Sequence, residues 1–454
     1  MAFRFLHLAD LHLASGFGGS PATKARLRAG ILDSFADAMQ LARDERLDAV
    51  LLAGDVYDDE KLTLRTSARF LDEVEETCRA GIDVLWVTGN HDPGAPGHRA
   101  ADWVSKDLGR RADWTRRVHV FDDVAPRAVN IGEVGIVVGA GHPADREERN
   151  LAATFPHPHE LEVPRGRALV GLLHTQVDGA STDHARYAPS THADFQARKY
   201  DYWALGHVHK RGQAVPGEPV YYSGNLMGRN AKPSECGAKG GYLVTVEPGR
   251  PAAPEFVELG RYRWERVALD TRVRTGAAAD RLAAVRTAEH REGLLRALEA
   301  AVRDELPRDV VLGRCVLRVE VGGPVREVRW LRDDEAIADL SEELGAALGC
   351  LELQLRGRGV HAEVDRSALE GLPTVLSRAL ALHVEAASAD ALEPALRRLL
   401  GAAEGARHGG LALLDLPSEP DAREAYLRDL WRDLDALAIE RLLGDQVGSP
   451  EGDA

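Results

Sequence analysis

Cysteine is scarce. There are four in 454 residues, Cys78, Cys236, Cys315 and Cys350, and no two stand in a CxxC spacing. That argues against a zinc ribbon or a disulfide framework and for a reduced, cytoplasmic protein. Long apolar runs are missing as well. None approaches the ~18 residues that span a bilayer, so no membrane partner is expected. The run that opens the chain is too short for a signal peptide and is interrupted by Asp10. Nor is there an excess of positive charge, since 57 Lys and Arg face 72 Asp and Glu, a net charge of -15. This argues against a protein that grips nucleic acid over its whole surface, but not against one whose site carries cations or whose partner is basic. No internal repeat or low-complexity tract is visible.

What is present is a regular alternation. Phe3 to Ala9 reads as a buried strand, and Lys24 to Arg46 as a helix with Leu27, Ile31, Phe35, Ala38 and Leu41 on one face. Asp48 to Ala53 is a second strand, Leu62 to Arg79 a helix and Asp83 to Thr88 a third strand, with further helix over Arg99 to Leu108. Shorter strands follow at Val118–Phe121, Val134–Val138, Ala168–Leu173, Tyr202–Leu205, Val220–Tyr222 and Tyr242–Val246. This is an α/β layered domain closing near Gly260. A small α/β cap over 261–365 is expected next: strand Trp264–Leu269, one long helix Ala277–Leu306, strand Cys315–Val321, helix Asp333–Leu348 and strand Leu351–Leu355. Residues 366–443 read as a helical C-terminal extension and 444–454 as a disordered tail.

The polar residues that close the strands carry the chemistry. They are Asp10 and His12, Asp55, Asn90-His91-Asp92, His174, and His207 with His209. In α/β sheets ligands gather at the carboxyl ends of strands. Residues i and i+2 of a strand share a side, so Asp10 with His12, and His207 with His209, can each present two donors to one place. A DxH or GD pair alone is common, and a GHxH pair can be structural. Five such clusters in the order DxH, GD, GNHD, H, GHxH, each closing an apolar strand, are not accidental. The imidazole, carboxylate and amide donors suit Mn²⁺, Fe²⁺ or Zn²⁺, and their number suits two ions rather than one. Glycine before Asp55, Asn90 and His207 lets the backbone turn where the side chain must project. His7 reads as a core residue, while His142, His184 and His192 lie in loops that could reach the site. Asp58 and Asp59 read as loop residues.

These clusters resemble, motif by motif, the calcineurin-like metallophosphoesterase superfamily, and within it the DNA repair exonuclease branch of SbcD and YhaO type. Tyr222-Ser223-Gly224-Asn225-Leu226, the run Glu235 to Gly240, and Arg146 to Leu151 are similar to segments of that branch. The resemblance covers roughly residues 1–260. It implies a four-layer sandwich of two mixed sheets flanked by helices, and a Mn²⁺-dependent exo- or endonuclease, with Fe²⁺, Zn²⁺ or Mg²⁺ as other metals. It further implies that Asp10, His12 and His209 hold one ion, that Asn90, His174 and His207 hold the other, and that Asp55 bridges them. His91 would face the scissile phosphate, with Asp92 orienting its ring. Partners implied are DNA and an SMC-like ATPase of SbcC or YhaN type docking on the helical tail, with a homodimer through the region Leu62 to Arg110. Candidate DNA contacts are Arg99, Lys106, Arg229 and Lys232, with Arg110, Arg111, Arg116 and Arg117 behind them. Two other readings stand beside the nuclease: a small-molecule phosphodiesterase or phosphatase of the same fold, and a non-catalytic DNA-binding or scaffolding subunit.

Overall fold

The structure is a computed structural model that describes residues 2–58, 61–98, 101, 115–178 and 187–362. The expected contacts Arg99, Lys106, Arg110 and Arg111, the loop histidine His184 and the helices expected beyond residue 366 lie outside these residues, as does part of the region assigned to dimerisation.

Two six-stranded sheets carry the site. The first runs through β1 (Phe3–Leu8), β2 (Ala49–Ala53), β3 (Asp83–Val87) and β4 (Val118–Phe121), all parallel. On its other side β11 (Gly240–Val246) joins β1 antiparallel and β12 (Ala253–Glu258) joins β11. The second sheet has the order β5 (Arg127–Ile131), β6 (Gly135–Ala140), β7 (Ala168–His174), β8 (Tyr202–Gly206), β10 (Val220–Tyr222) and β9 (Gly212–Gln213). Its strands β6, β7, β8 and β10 are parallel.

Strand alternation builds three apolar layers. Phe3 and Phe5 of β1 point between the sheets, where Leu51, Val87, Val170, Tyr202 and Ala204 also pack. Leu6 and Leu8 point the other way, against Leu27, Phe35, Phe70 and Val74 of helices α1 (Pro21–Asp44) and α2 (Leu64–Arg79). The outer face of the second sheet presents Leu169, Leu173, Trp203 and Leu205 to Phe155 and to Phe195 of the short helix α3 (His192–Arg198). Four layers result: helices, sheet, sheet, and a helix-containing outer layer. The helix starts follow side-chain caps. Ser20 accepts the Thr23 N–H with Pro21 in the first turn, and Thr63 accepts the Thr66 N–H.

By its internal contacts the chain divides into two compact units. Among the described residues, those of 1–266 with 311–317 and 350–352 form the first, and those of 267–310, 318–349 and 353–362 the second. The second contains most of a three-stranded sheet, β13 (Arg263–Asp270), β14 (Cys315–Val325) and β15 (Glu352–Ala362). The single helix expected over 277–306 is two helices, α4 (Ala279–Thr287) and α5 (Arg291–Glu305). Ala288 and His290 turn to extended backbone between them. The Arg286 carbonyl is satisfied from outside the helix, by the Arg326 N–H at 2.8 Å. The last helix among the described residues, α6 (Asp334–Leu348), starts on an Asp333 cap and ends on Gly349 at φ 72°.

Candidate metal centre

The parallel strands β1 and β2 end side by side, and their chains stay paired beyond the sheet. Asp10 N–H donates to the Gly54 carbonyl at 3.0 Å, and His12 N–H to that of Asp55 at 2.9 Å. The sequence places Asp10 and His12, like His207 and His209, on one side of a strand. Instead β1 stops at Leu8 and β8 at Gly206. Asp10, His12, Asp55 and His207 all take positive φ, at 50°, 46°, 49° and 101°. Side chains other than glycine take this conformation at a cost of about 1–3 kcal/mol each, and such residues concentrate at functional sites. The donor pairs converge because the backbone leaves the strand, not because it continues.

Close approach explains the glycines. Gly54 has φ 88°, and a Cβ there would lie 2.4 Å from Nδ1 of His174. A Cβ on Gly89 would lie 2.2 Å from Oδ1 of Asp55, and one on Gly206 1.8 Å from the Ala53 carbonyl. All three contacts are forbidden to any larger residue.

Asp10, His12, Asp55, His174, His207 and His209 are buried and gather at one point. The ligand atoms of Asp10, His12 and His209 lie within 4.8 Å of one another, and so do those of Asp10, Asp55 and His174. Oδ2 of Asp55 stands 3.8 Å from Nε2 of His12 and 3.4 Å from Nε2 of His174, so it faces both sets. Oδ1 of Asn90 is 3.1 Å from Nε2 of His174. His207 donates its backbone N–H to Asp10, and its ring packs edge-on against that of His174 at 5.2 Å.

The outer nitrogens of three imidazoles are tied to acceptors. Nδ1 of His12 meets Oδ1 of Asp58 at 2.9 Å, Nδ1 of His209 meets Oε1 of Glu235 at 2.8 Å, and Nδ1 of His174 meets the Ala53 carbonyl at 2.9 Å. Those partners assign the ring proton to Nδ1 and leave each Nε2 with a lone pair. The Nε2 atoms of His12 and His209 then face each other at 3.2 Å, and Nε2 of His174 faces two side-chain oxygens. Lone pairs pointed at lone pairs are complementary to cations, so this donor set fits bound metal. Without an ion, the neighbouring carboxylates instead draw a second proton to His174, the place a cation would take. Burial would raise Asp55, but the adjoining His174 holds its carboxyl well below the usual range. Burial would lower His174, but Asp55 raises it to about 9. Burial, with the charge of Arg229, lowers His12 to about 3.

His91 sits at the rim, its side chain 45% exposed. Its partner differs from the expected one. Asp92 accepts the backbone N–H groups of Gly89, Val56 and Tyr57, locking the GNHD turn to the GD turn. Consecutive side chains diverge there, and the carboxylate beside the His91 ring is that of Asp58, 3.2 Å from Nδ1. Burial opposes a proton on His91, but Asp58 and Asp55 outweigh it and raise the pKa. Asp58, read as a loop residue, thus touches both His12 and His91. The available signal was its place three residues after Asp55.

Among the other positions, His142 is buried and meets the carbonyl of His174 at 2.8 Å. His7 lies in the core, as expected. Arg229 reaches Ser15 at 3.3 Å and lies near enough to His12 and His91 for its charge to lower both. Lys232 is exposed, and its backbone N–H bonds Asn230. Arg117 pairs with Asp83. Glu235 and Lys239, in a run noted only for its resemblance, prove to touch His209.

Comparison with known proteins agrees with this geometry. Residues 3–211 match the calcineurin-like phosphoesterase family. The chain is 32% identical over 275 residues to a protein of Bacillus subtilis named uncharacterized metallophosphoesterase YhaO, covering 59% of this chain and 62% of that protein. It is 39% identical over 272 residues to the DNA double-strand break repair protein Mre11 of Aeropyrum pernix, covering 59% and 63%. To the Mre11 protein of Methanopyrus kandleri it is 24% identical over 287 residues, covering 58% of each chain. The match thus spans somewhat less than two thirds of the relatives' length.

Proposed function

We propose that this chain, an α/β metallophosphoesterase sandwich homologous to the YhaO and Mre11 proteins, is a two-metal phosphodiesterase that cleaves DNA, with Mn²⁺ as its metal. The observation that carries the reading is the convergence of imidazole lone pairs and carboxylate oxygens with their outer nitrogens already tied off. Asp10, His12 and His209 would hold one ion, and Asn90, His174 and His207 the other, with Asp55 between them. When bound, two such ions supply Lewis-acid polarisation of phosphoryl oxygens and a strongly acidified water.

The chain's own residues do the rest. Asp58 takes the Nδ1–H of His91, which turns Nε2 of a half-exposed ring toward an incoming phosphodiester. His91 holds a proton there and gives it to the leaving oxygen. Asp92 keeps the two turns in register, so that the ring is presented at a fixed place. Arg229, whose charge is felt at His12 and His91, adds positive field at the same mouth. DNA is favoured as substrate by two relatives named as double-strand break repair proteins. An SMC-like ATPase partner, which would supply the DNA grip that a net charge of -15 does not, belongs to the same proposal.

The test is hydrolysis of linear and supercoiled DNA in Mn²⁺ and in EDTA, beside bis-p-nitrophenyl phosphate and cyclic nucleotides. Mn²⁺-dependent DNA cleavage is expected. Turnover of the small substrates with DNA left intact would instead assign a small-molecule phosphodiesterase.

A further inference from the structure

Apart from Arg229, the segment from Tyr222 to Lys239 has no part in the reading above, yet it encloses His209. Glu235 is 2% exposed. Its Oε1 meets Nδ1 of His209 at 2.8 Å and stands 3.5 Å from Nε of Arg229. Its Oε2 accepts from Nδ2 of Asn225 at 2.7 Å and from the backbone N–H of Arg229 at 3.0 Å. Every partner is a nitrogen that can donate, which an acceptor-only carboxylate satisfies and an amide does not. Four residues on, the buried Nζ of Lys239 donates to the carbonyl of His209 at 2.8 Å and to that of Ser234. His209 is therefore held at both its ring and its backbone by one short segment. The same segment is tied to the end of β1 through the bridge between Ala9 and Asn225, just before Asp10.

We infer that Glu235 is a positioning residue for one of the two ions. Its carboxylate fixes His209 with the proton on Nδ1 and aims Nε2 at the set formed with Asp10 and His12, while Lys239 fixes the backbone from which that ring projects. The clamp bears on one ion position only, because no contact of Glu235 or Lys239 reaches Asn90 or His174 among the described residues. The inference rests on the two-metal reading and adds an asymmetry to it.

Calorimetric titration of Mn²⁺ into the metal-stripped full chain tests it. The wild type should take two ions. In Glu235→Gln one binding step should weaken about 10- to 100-fold while the other keeps its affinity. Melting in EDTA checks that the variant is folded. If it is not, Glu235→Asp, which keeps the charge but shortens the reach to His209, should show the same one-sided loss. Two unchanged steps, or two equally weakened ones, would overturn the clamp with the two-metal reading intact. A wild type that takes fewer than two ions would overturn both.

Discussion

His7 and His12 stand five residues apart, the first inside β1 and the second just beyond its end. Both are buried, and burial lowers both to about 3. What separates them is where their nitrogens go. His7 spends both: Nδ1 meets the Tyr202 hydroxyl and Nε2 the Leu205 carbonyl, each at 3.1 Å. One neutral tautomer, donating to the carbonyl and accepting from the hydroxyl, satisfies the whole ring. His12 ties only Nδ1 to an acceptor, at Asp58, and turns Nε2 toward His209 and Asp55. Burial alone therefore does not mark a ligand. A nitrogen aimed at other lone pairs does.

The largest effect should come from Asp55→Ala, which removes the carboxylate that faces both sets. Mn²⁺ uptake and phosphodiester hydrolysis should both fall to the level of the EDTA-treated wild type, read by metal analysis and turnover. Next, His91→Ala should lower kcat about 10²- to 10⁴-fold with Mn²⁺ stoichiometry unchanged, since the proposed role places His91 beside the donor set and not within it. Loss of metal in that variant would contradict the role.

His7→Phe should do the opposite. It strands the Tyr202 hydroxyl and the Leu205 carbonyl, at about 2–5 kcal/mol of stability in denaturant melts, and leaves Mn²⁺ affinity untouched. The sign of its pH dependence follows from burial. His7 folds neutral, with a pKa near 3 against 6.5 for the unfolded residue. Its stabilising share is whole above pH 6.5 and is lost as pH falls toward 3, by up to about 1.4 kcal/mol per unit. The gap between wild type and His7→Phe should therefore narrow below pH 6.5. The smallest effect is expected from Lys232→Ala, whose side chain is exposed, and which should leave hydrolysis of small diesters unchanged.

The sandwich was legible in the sequence because its central strands are buried on both faces and read as continuous apolar runs. Strands β5 and β12 escaped, since these edge strands keep exposed residues along much of their length. The polar clusters at strand ends were legible because such clusters serve no core, and Asp10, His12, Asp55, His174 and His209 among them do come together. Strand alternation does not explain their convergence, since Asp10, His12 and His207 turn to positive φ. Asp58 and Glu235 could not be assigned, because they meet His12 and His209 across 46 and 26 residues of chain. Sequence adjacency also misled at His91 and Asp92, where neighbouring side chains take different partners.

Anomalous diffraction from Mn²⁺-soaked crystals tests the central claim most directly. Two peaks are expected, one against Asp10, His12 and His209, the other against Asn90, His174 and His207, with Asp55 reaching both. A single peak, or ions bound away from these side chains, would contradict it.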